Sequence, residues 1–297
     1  MHNVKNIVII GNTASLGYLI GRELRRRGFN VDHYCTYETS RTMPDMKYTK
    51  LLDKKYHIPL ERTIRKTLSR IHSYDLEIRL SHSKLVRAKN SVIIFNGSEL
   101  RDRIMKPEKK CFITTKDLFR YVDGSDARFL PRCIDTSLFT RSNNMTWKKD
   151  EKLIIGHFPT NREIKGTNLA YKAIENLQLK GYDCAIMSEF VSHKEMPHYL
   201  TDIHVLLDQF TIGSYGIITI EALSVGTPVV CHVKDENFEF PEMKNLITNC
   251  DPTAESIANA IIRATNTKIN EHKVRELYSP KHTVDVLLNA LNDWNFI

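Results

Sequence analysis

The chain has 297 residues, of which 41% are hydrophobic and 26% are charged, a composition typical of a folded globular protein. This length suits two domains of ordinary size, each with its own core. No apolar run approaches the roughly 20 residues of a membrane-spanning helix, and the first residues have a strand pattern, so we expect neither a transmembrane protein nor a signal peptide. The six cysteines lack a CxxC spacing, which predicts reduced, mostly buried thiols in a cytosolic protein without a zinc site.

Positive charge is concentrated in the first half of the chain. Residues 1–140 contain 27 Lys and Arg against 15 Asp and Glu, whereas residues 141–297 contain 16 against 20. We therefore expect the first half to face an anionic partner, such as a lipid phosphate or the inner face of a membrane. Within it, apolar residues at helical spacing are interspersed with arginine and lysine over residues 60–71. This segment is either a basic helix lying on a bilayer or a core-facing helix with a solvated basic face.

Strands and helices alternate along both halves of the chain. In the first half, apolar segments predict strands at residues 4–10, 30–34, 91–95 and 112–114 and a helix at residues 15–27. In the second half, they predict strands at 153–156, 183–187, 205–207 and 229–232 and helices at 168–179, 217–225 and 283–293. Two such series in succession predict an α/β protein with two Rossmann-like domains. Ligands of such domains bind at the carboxyl ends of the parallel strands.

The strongest ligand-site pattern lies between residues 205 and 230. An apolar strand is followed by a loop with Gly213 and Gly216, which let the backbone come close to a ligand, and then by a helix. The free N–H groups and the positive dipole at the start of that helix favour an anion such as a diphosphate. Glu221, one turn inside the helix, can accept hydrogen bonds from sugar hydroxyls.

A second segment, about fifty residues upstream, has matching chemistry. The strand at residues 153–156 is followed by a predicted loop at residues 157–167, which contains His157, Arg162 and Lys165 and precedes the helix at residues 168–179. Arginine binds phosphate through its fork of N–H groups and lysine acts as a point charge, so the two side chains suit a pyrophosphate. We expect contacts to a nucleotide base in the loop at residues 188–193, which follows the next strand.

These two segments together resemble the C-terminal domain of retaining GT-B glycosyltransferases of the family 4 type. The turn at Gly11 and Asn12, the strand and loop at residues 93–101, and the passage at residues 129–139 resemble the N-terminal domain of that family. The resemblance implies a GT-B fold, with two Rossmann-like domains whose parallel sheets face a central cleft. Residues 1–140 would form the acceptor side, residues 141–280 the donor domain, and residues from about 281 to 297 a helix that packs back on the first domain.

The resemblance also implies an activity and a set of site residues. The enzyme would transfer a hexose with retention from a nucleoside-diphosphate sugar to a glycan, a lipid-linked acceptor or another hydroxyl group, without a cofactor or a metal ion. The catalytic residues would be Arg162, Lys165 and Asn96, and the acceptor-side loop would contain Gly11 and Asn12. The donor would be bound by Gly213, Ser214, Tyr215, Gly216, Ile217, Glu221 and His157.

Three departures from the family pattern leave an alternative open. Gly213 stands where many members have a glutamate that grips the donor sugar, Asn96 stands where many have a histidine, and Arg162 precedes Lys165 by three residues instead of five. The alternative is a non-catalytic GT-B module that binds a nucleotide, a glycan or a protein. Nucleic-acid binding is not expected because the chain lacks a groove-reading motif. The glycine fingerprint of nicotinamide-binding enzymes is incomplete in this chain, and the P-loop motif of phosphate-binding kinases is absent.

Each candidate residue also has a purely structural interpretation. The glycines can be turn formers, and the charged side chains can be solvated surface groups. His157 can be a packed residue at the end of its strand. The tertiary structure decides which of these interpretations fits the geometry.

Overall fold

The computed structural model describes residues 6–36, 49–51, 74–80, 86–140, 145–189 and 191–297. The chain divides into a first unit, Met1–Asp135 with Tyr278–Ile297, and a second unit, Thr136–Leu277. The basic amphipathic segment predicted at residues 60–71 lies outside the described residues. Each unit has its own sheet and core, and we describe the two separately.

Parallel strands form one sheet in each unit. Within the described residues, the first sheet has the order β3-β2-β1-β4-β5-β6-β7 and the second has the order β12-β11-β10-β8-β9. The strands of the first sheet are β1 (Asn6–Ile10), β2 (Asn30–Cys35), β3 (Thr49–Leu51), β4 (Tyr74–Leu80), β5 (Ala88–Phe95), β6 (Lys110–Ile113) and β7 (Asp126–Phe129). Those of the second are β8 (Leu153–Gly156), β9 (Cys184–Met187), β10 (Val205–Leu207), β11 (Val229–Cys231) and β12 (Ile247–Asn249).

The helices of the described residues follow the strands of both units. They are α1 (Leu16–Arg26), α2 (Ser98–Arg101), α3 (Arg162–Lys165), α4 (Thr167–Leu179), α5 (Met196–Thr201), α6 (Ile217–Ser224), α7 (Met243–Leu246), α8 (Ala254–Ala264), α9 (Glu271–Leu277) and α10 (Pro280–Asp293). All strand pairings are parallel, so helices and loops carry the chain back between strands. The predicted α/β class is therefore confirmed.

The first unit is completed by the C-terminal helix α10. Its apolar face packs with α1 and the strands in one core, which includes Leu19, Leu24, Leu287 and Leu291. Ser279 caps the helix by accepting a hydrogen bond from the His282 N–H at 3.1 Å. The last turn is anchored where the Trp294 indole donates to the Asp126 carboxylate at 2.6 Å. The chain thus returns to the first unit after leaving the second.

The second unit has β10 at the centre of its sheet, between β8 and β11. The apolar strands pack with α4 and α8 in a core that includes Ile155, Val205, Ala173 and Ile261. β8 and β10 pair in parallel, with Val205 beside Ile155, so their carboxyl ends lie at the same edge of the sheet. The two segments that the sequence singled out therefore begin side by side.

Strand β4 was not predicted, although it pairs with both β1 and β5 in the middle of the first sheet. Its residues Glu77 and Arg79 are charged, which is typical of a solvated strand face. Both are nevertheless buried, and they form an ion pair at 3.5 Å. Arg79 also donates to Glu108 at 2.5 Å, and Ser91 donates to Glu77 at 2.8 Å. Partners on neighbouring elements allow this strand to be buried despite its charges.

Candidate functional site

The centre of the candidate site is the N-terminus of α6. Asp208 directly follows β10, and its buried carboxylate accepts hydrogen bonds from the Gly216 N–H and, at 2.8 Å, from the Thr219 hydroxyl. The Lys165 ammonium donates to the same carboxylate. Burial opposes ionisation of Asp208, but Lys165 and these hydrogen bonds hold its pKa below the usual value. A protein carboxylate therefore lies beside the start of the helix at the predicted anion site and binds the N–H of the cap residue Gly216.

Asp208 was not among the residues predicted for the site. The available signal was an acidic residue immediately after an apolar strand, the position at which open α/β sheets present their ligand groups. Its partner Lys165 is 43 residues away in the chain. Because sequence spacing does not reveal such a contact, the ion pair is found only in the folded structure.

Lys165 and Gly216, both predicted site residues, are brought together. Lys165 is the last residue of α3, which begins after the cap residue Asn161 and ends at Gly166 in the left-handed region. A Cβ atom at Gly216 would lie 2.7 Å from the Lys165 Nζ and 3.0 Å from the Asp208 carboxylate oxygens. A side chain at position 216 would therefore displace the Lys165 ammonium and crowd Asp208, and the loop predicted at residues 157–167 contains a short helix that positions the lysine.

Arg162 is directed differently from Lys165. Its guanidinium lies over the Tyr171 ring, 6.0 Å from the ring centroid, and donates to the Tyr171 hydroxyl at 3.4 Å. Both of these described contacts are with a residue of α4, and neither involves Asp208. The two predicted phosphate-binding cations are therefore three residues apart in sequence but have different neighbours.

Glu221 is a buried residue of α6, and its side chain contacts His193 in the loop at residues 188–193, where nucleotide-base contacts were predicted. The His193 Nε2 lies 3.1 Å from the Glu221 Oε1, and the two side chains are 22% and 6% exposed. The His193 ring also meets Phe139 edge-on, with centroids 5.8 Å apart. The interpretation of Glu221 as an exposed helix carboxylate does not fit this geometry.

Gly213 has a structural reason to be glycine. Its φ is +75°, and a Cβ atom there would lie 2.8 Å from the Lys234 side chain. Its carbonyl accepts hydrogen bonds from the Lys234 N–H at 3.0 Å and from the Asn237 amide at 2.7 Å. The position that is a glutamate in many members of the family that the sequence resembles is therefore unfavourable for a side chain in this loop conformation.

The residues next to the two glycines differ in their surroundings. Ser214 is buried, and within the described part of the chain its hydroxyl has no hydrogen-bond partner. Tyr215 is a core residue whose hydroxyl accepts from the Glu239 N–H at 3.1 Å, next to the Phe238 ring. Ile217 opens the helix and is half-buried. The Ser214 hydroxyl is thus the group in this loop that a ligand could satisfy.

His157 is buried at the end of β8. One ring nitrogen pairs with the Leu207 carbonyl at 3.0 Å and the other with the Thr167 hydroxyl at 2.9 Å. Burial lowers the pKa of His157, so its ring is neutral near neutral pH. Because both nitrogens are engaged within the protein, the geometry favours the interpretation of His157 as a packed residue that ties β8 to β10 and α4.

The other predicted residues belong to the first unit. Gly11 follows β1 with φ +101°, and its carbonyl pairs with the His33 ring at 3.0 Å. The buried Asn12 side chain accepts from the Tyr18 N–H at 2.9 Å. Asn96 follows β5, and its N–H donates to the Glu99 carboxylate. These residues lie at the carboxyl ends of their strands, and their acceptor-side and catalytic roles stay predictions.

The described residues contain neither a metal-binding cluster nor a membrane-spanning helix. No cluster of three or more His, Cys, Asp and Glu side chains is arranged to hold a metal ion there. None of the helices described has the length and apolar character needed to cross a membrane. The six cysteines are all buried and free of disulfide bonds.

Solved structures match this fold over nearly the whole chain, whereas no family model and no curated protein matches the sequence. Sucrose-phosphate synthase from Thermosynechococcus elongatus is 15% identical, with 98% of this chain and 99% of that chain covered and a TM-score of 0.65. An α-glucosyltransferase in complex with UDP and a 13-mer DNA is 10% identical, with coverages of 96% and 95% and a TM-score of 0.56. UDP-GlcNAc 2-epimerase from Neisseria meningitidis, bound to UDP-GlcNAc, is 11% identical, with coverages of 97% and 100% and a TM-score of 0.54. The chain therefore has the predicted GT-B fold, and its structure is similar to those of these two glycosyltransferases and this epimerase.

Proposed function

We propose that this chain is a glycosyltransferase that moves a sugar, with retention, from a nucleoside-diphosphate sugar to a hydroxyl group of a glycan or lipid-linked acceptor. The observation that carries the proposal is the set of groups around the start of α6. The Lys165 ammonium lies beside Gly216, the buried Ser214 hydroxyl lacks a described partner, and Glu221 lies one turn into the helix. The similarity to GT-B enzymes that handle UDP and UDP-GlcNAc supports the same ligand class here.

The proposed chemistry is stabilisation of a departing nucleoside diphosphate. The N–H groups in the first turn of α6 and the remaining protons of the Lys165 ammonium can donate to the diphosphate as negative charge develops. Arg162, on the same short helix as Lys165, is the second cation of the proposed site. No metal ion or cofactor is needed in this proposal, since fixed cations and backbone donors supply the compensating charge.

The acceptor side is proposed from the resemblance and from charge. The family pattern assigns Gly11 and Asn12 to the acceptor loop and Asn96 to catalysis. The charge of +12 over residues 1–140 supports an anionic acceptor or an anionic membrane surface. We accordingly propose a cytoplasmic enzyme that works at the inner face of a membrane.

A specific observation favours a second candidate, a GT-B module that binds a nucleotide or glycan without transferring sugar. The Asp208 carboxylate already accepts from the Gly216 N–H and neutralises Lys165, and Gly213 leaves no room for the sugar-binding glutamate. Such a site would bind a diphosphate less strongly and would lack one contact to the donor sugar. Measured turnover separates the two candidates.

The first test is calorimetric titration with uridine, guanosine and adenosine diphosphates and their sugar conjugates, together with an assay for sugar release. We expect the wild type to bind one base selectively and Lys165→Ala to bind at least tenfold more weakly. Lys172→Ala is the matched control because it removes an exposed lysine from the neighbouring helix α4. Binding without sugar release would support the module, and no binding by the wild type would refute both candidates.

A further inference from the structure

The contact between His193 and Glu221 is the observation from which we start. A glutamate has three rotatable side-chain bonds, so a buried carboxylate points in one direction only if a partner holds it. Here the Glu221 Oε1 pairs with the His193 Nε2 at 3.1 Å. Within the described residues, no hydrogen bond involves the Glu221 Oε2. One oxygen is therefore fixed, and the other is available to a ligand.

His193 is itself held from two sides. Its ring packs edge-on against Phe139, a buried residue, at an interplanar angle of 70°. The Arg275 guanidinium donates to the Phe139 carbonyl at 3.5 Å and to the Ser224 carbonyl at 2.7 Å. Ser224 is the last residue of α6, the helix that carries Glu221. The support behind His193 is thus attached to the same helix as the carboxylate that His193 contacts.

The backbone next to His193 is fixed by the turn that precedes α5. The Ser192 carbonyl accepts hydrogen bonds from the Glu195 and Met196 N–H groups, both at 3.0 Å. The Ser192 hydroxyl donates to the Glu195 carboxylate at 2.5 Å. Beyond this turn, the Thr227 hydroxyl donates to the Leu200 carbonyl at 2.5 Å and so connects α5 to the loop after α6. His193 therefore contacts Glu221 from an ordered turn.

These contacts have a chemical consequence for ligand choice. A carboxylate accepts hydrogen bonds only, so the Nε2 must carry the proton when it pairs with Oε1, in the neutral or the charged imidazole. The second oxygen then presents lone pairs to a donor such as a ribose hydroxyl. A ligand that lacks this hydroxyl leaves the second carboxylate oxygen without that donor inside the occupied site. Binding sites reject a ligand that lacks a hydrogen-bonding group more strongly than a ligand that carries an extra group.

We propose that His193 is a positioning residue that aims Glu221 at the ribose and thereby makes the site selective for ribonucleotides over deoxyribonucleotides. This inference rests on the proposed nucleotide-binding function, in which Glu221 contacts a sugar hydroxyl, and adds the residue that directs Glu221 towards it. It also gives the loop at residues 188–193 a role that does not require contact with the base.

The test compares affinities for ribose and deoxyribose ligands by calorimetry with the full chain. The probes are uridine, guanosine and adenosine diphosphates and their 2′-deoxy counterparts. A further probe, 3′-deoxyuridine diphosphate, tests whether Glu221 contacts the 3′-hydroxyl instead of the 2′-hydroxyl. His193→Phe keeps a ring against Phe139 but has no N–H, whereas His193→Gln keeps an N–H donor at a similar reach. Circular dichroism and thermal unfolding establish that each variant is folded.

We expect the wild type to prefer the ribonucleotide by about tenfold or more, which corresponds to about 1.4 kcal/mol. His193→Phe should lower this preference to about twofold, and His193→Gln should restore most of it. Equal weakening of ribose and deoxyribose ligands in His193→Phe would refute the inference, because a purely structural role predicts that result. A wild type that binds both ligands equally would also refute it while leaving the proposed function intact, and a wild type that binds neither would refute both.

Discussion

Replacing Asp208 by asparagine tests the arrangement at the start of α6. The substitution keeps the shape of the side chain but removes the negative charge that Lys165, Gly216 and Thr219 all contact. Lys165, whose side chain is 14% exposed, would then be nearly buried without a counter-ion. Removing one partner of a buried ion pair typically costs about 3–5 kcal/mol. Since the asparagine oxygen can still accept one hydrogen bond, we expect the free energy of unfolding of the second unit to fall by about 3 kcal/mol.

The two tryptophans of the chain make a unit-specific assay possible. Trp147 packs beside Tyr182 in the second unit, and Trp294 lies in the first. In a Trp294→Phe background, urea unfolding followed by tryptophan fluorescence reports Trp147 alone, and Asp208→Asn should shift its midpoint to lower urea.

The pH dependence and a double-mutant cycle complete this test. Because the pKa of Asp208 is lowered in the folded protein, its stabilising contribution is present above the unfolded pKa of about 4 and is lost as the pH falls through the folded value. Asp208→Asn should therefore flatten the acid limb of the stability curve. Lys165→Met and Asp208→Asn combined should cost less than the sum of the single changes by about 1–3 kcal/mol. Strict additivity, or an unchanged acid limb, would refute the ion-pair argument.

Three further predictions concern glycines and a buried histidine. Gly216→Ala should weaken nucleoside-diphosphate binding at least tenfold in calorimetry, because the added methyl group meets Lys165 Nζ at 2.7 Å; unchanged affinity would place the ligand elsewhere. Gly213→Glu introduces the residue that many members of the resembled family have at this position. It should destabilise the second unit by about 1–3 kcal/mol in urea unfolding, since φ is +75° there; a stable variant with higher turnover would contradict this. Burial lowers the pKa of His33 to about 4, so the first unit should lose about 3 kcal/mol as the pH falls from about 6.5 towards 4. With Trp294 as the reporter in a Trp147→Phe background, His33→Gln should remove this dependence, and a variant that keeps it would show that another group titrates.

Much of the fold could be predicted because its strands are short apolar runs between turn residues. The predicted segments at residues 153–156 and 205–207 coincide with β8 and β10, and the helix at residues 217–225 differs from α6 by one residue. Gly213 and Gly216 were singled out for backbone reasons, and the structure gives each a close side-chain neighbour, with a positive φ at Gly213. Local patterns therefore located the loop and the helix of the candidate site.

Non-local contacts could not be predicted from those patterns. The charged side chains of β4 suggested exposure, yet Glu77 and Arg79 are buried because they pair with each other and with Ser91 and Glu108. The partner of Glu221 is His193, which is 28 residues away in the chain. No periodicity in the sequence connects such residues, since the packing of different elements brings them together.

The sequence by itself determined the alternation of strands and helices, the glycine loop before α6 and the chemical types available there, because these depend on local propensity and on hydrophobic spacing. Only the tertiary structure decided how the site residues are used. It joined Lys165 to Asp208, turned Arg162 towards Tyr171, enclosed His157 and set His193 against Glu221. The physical reason is that a charged or polar side chain can be buried only where folding supplies its partner, and for Lys165, His157 and Glu221 such a partner lies 28 to 50 residues away in the chain.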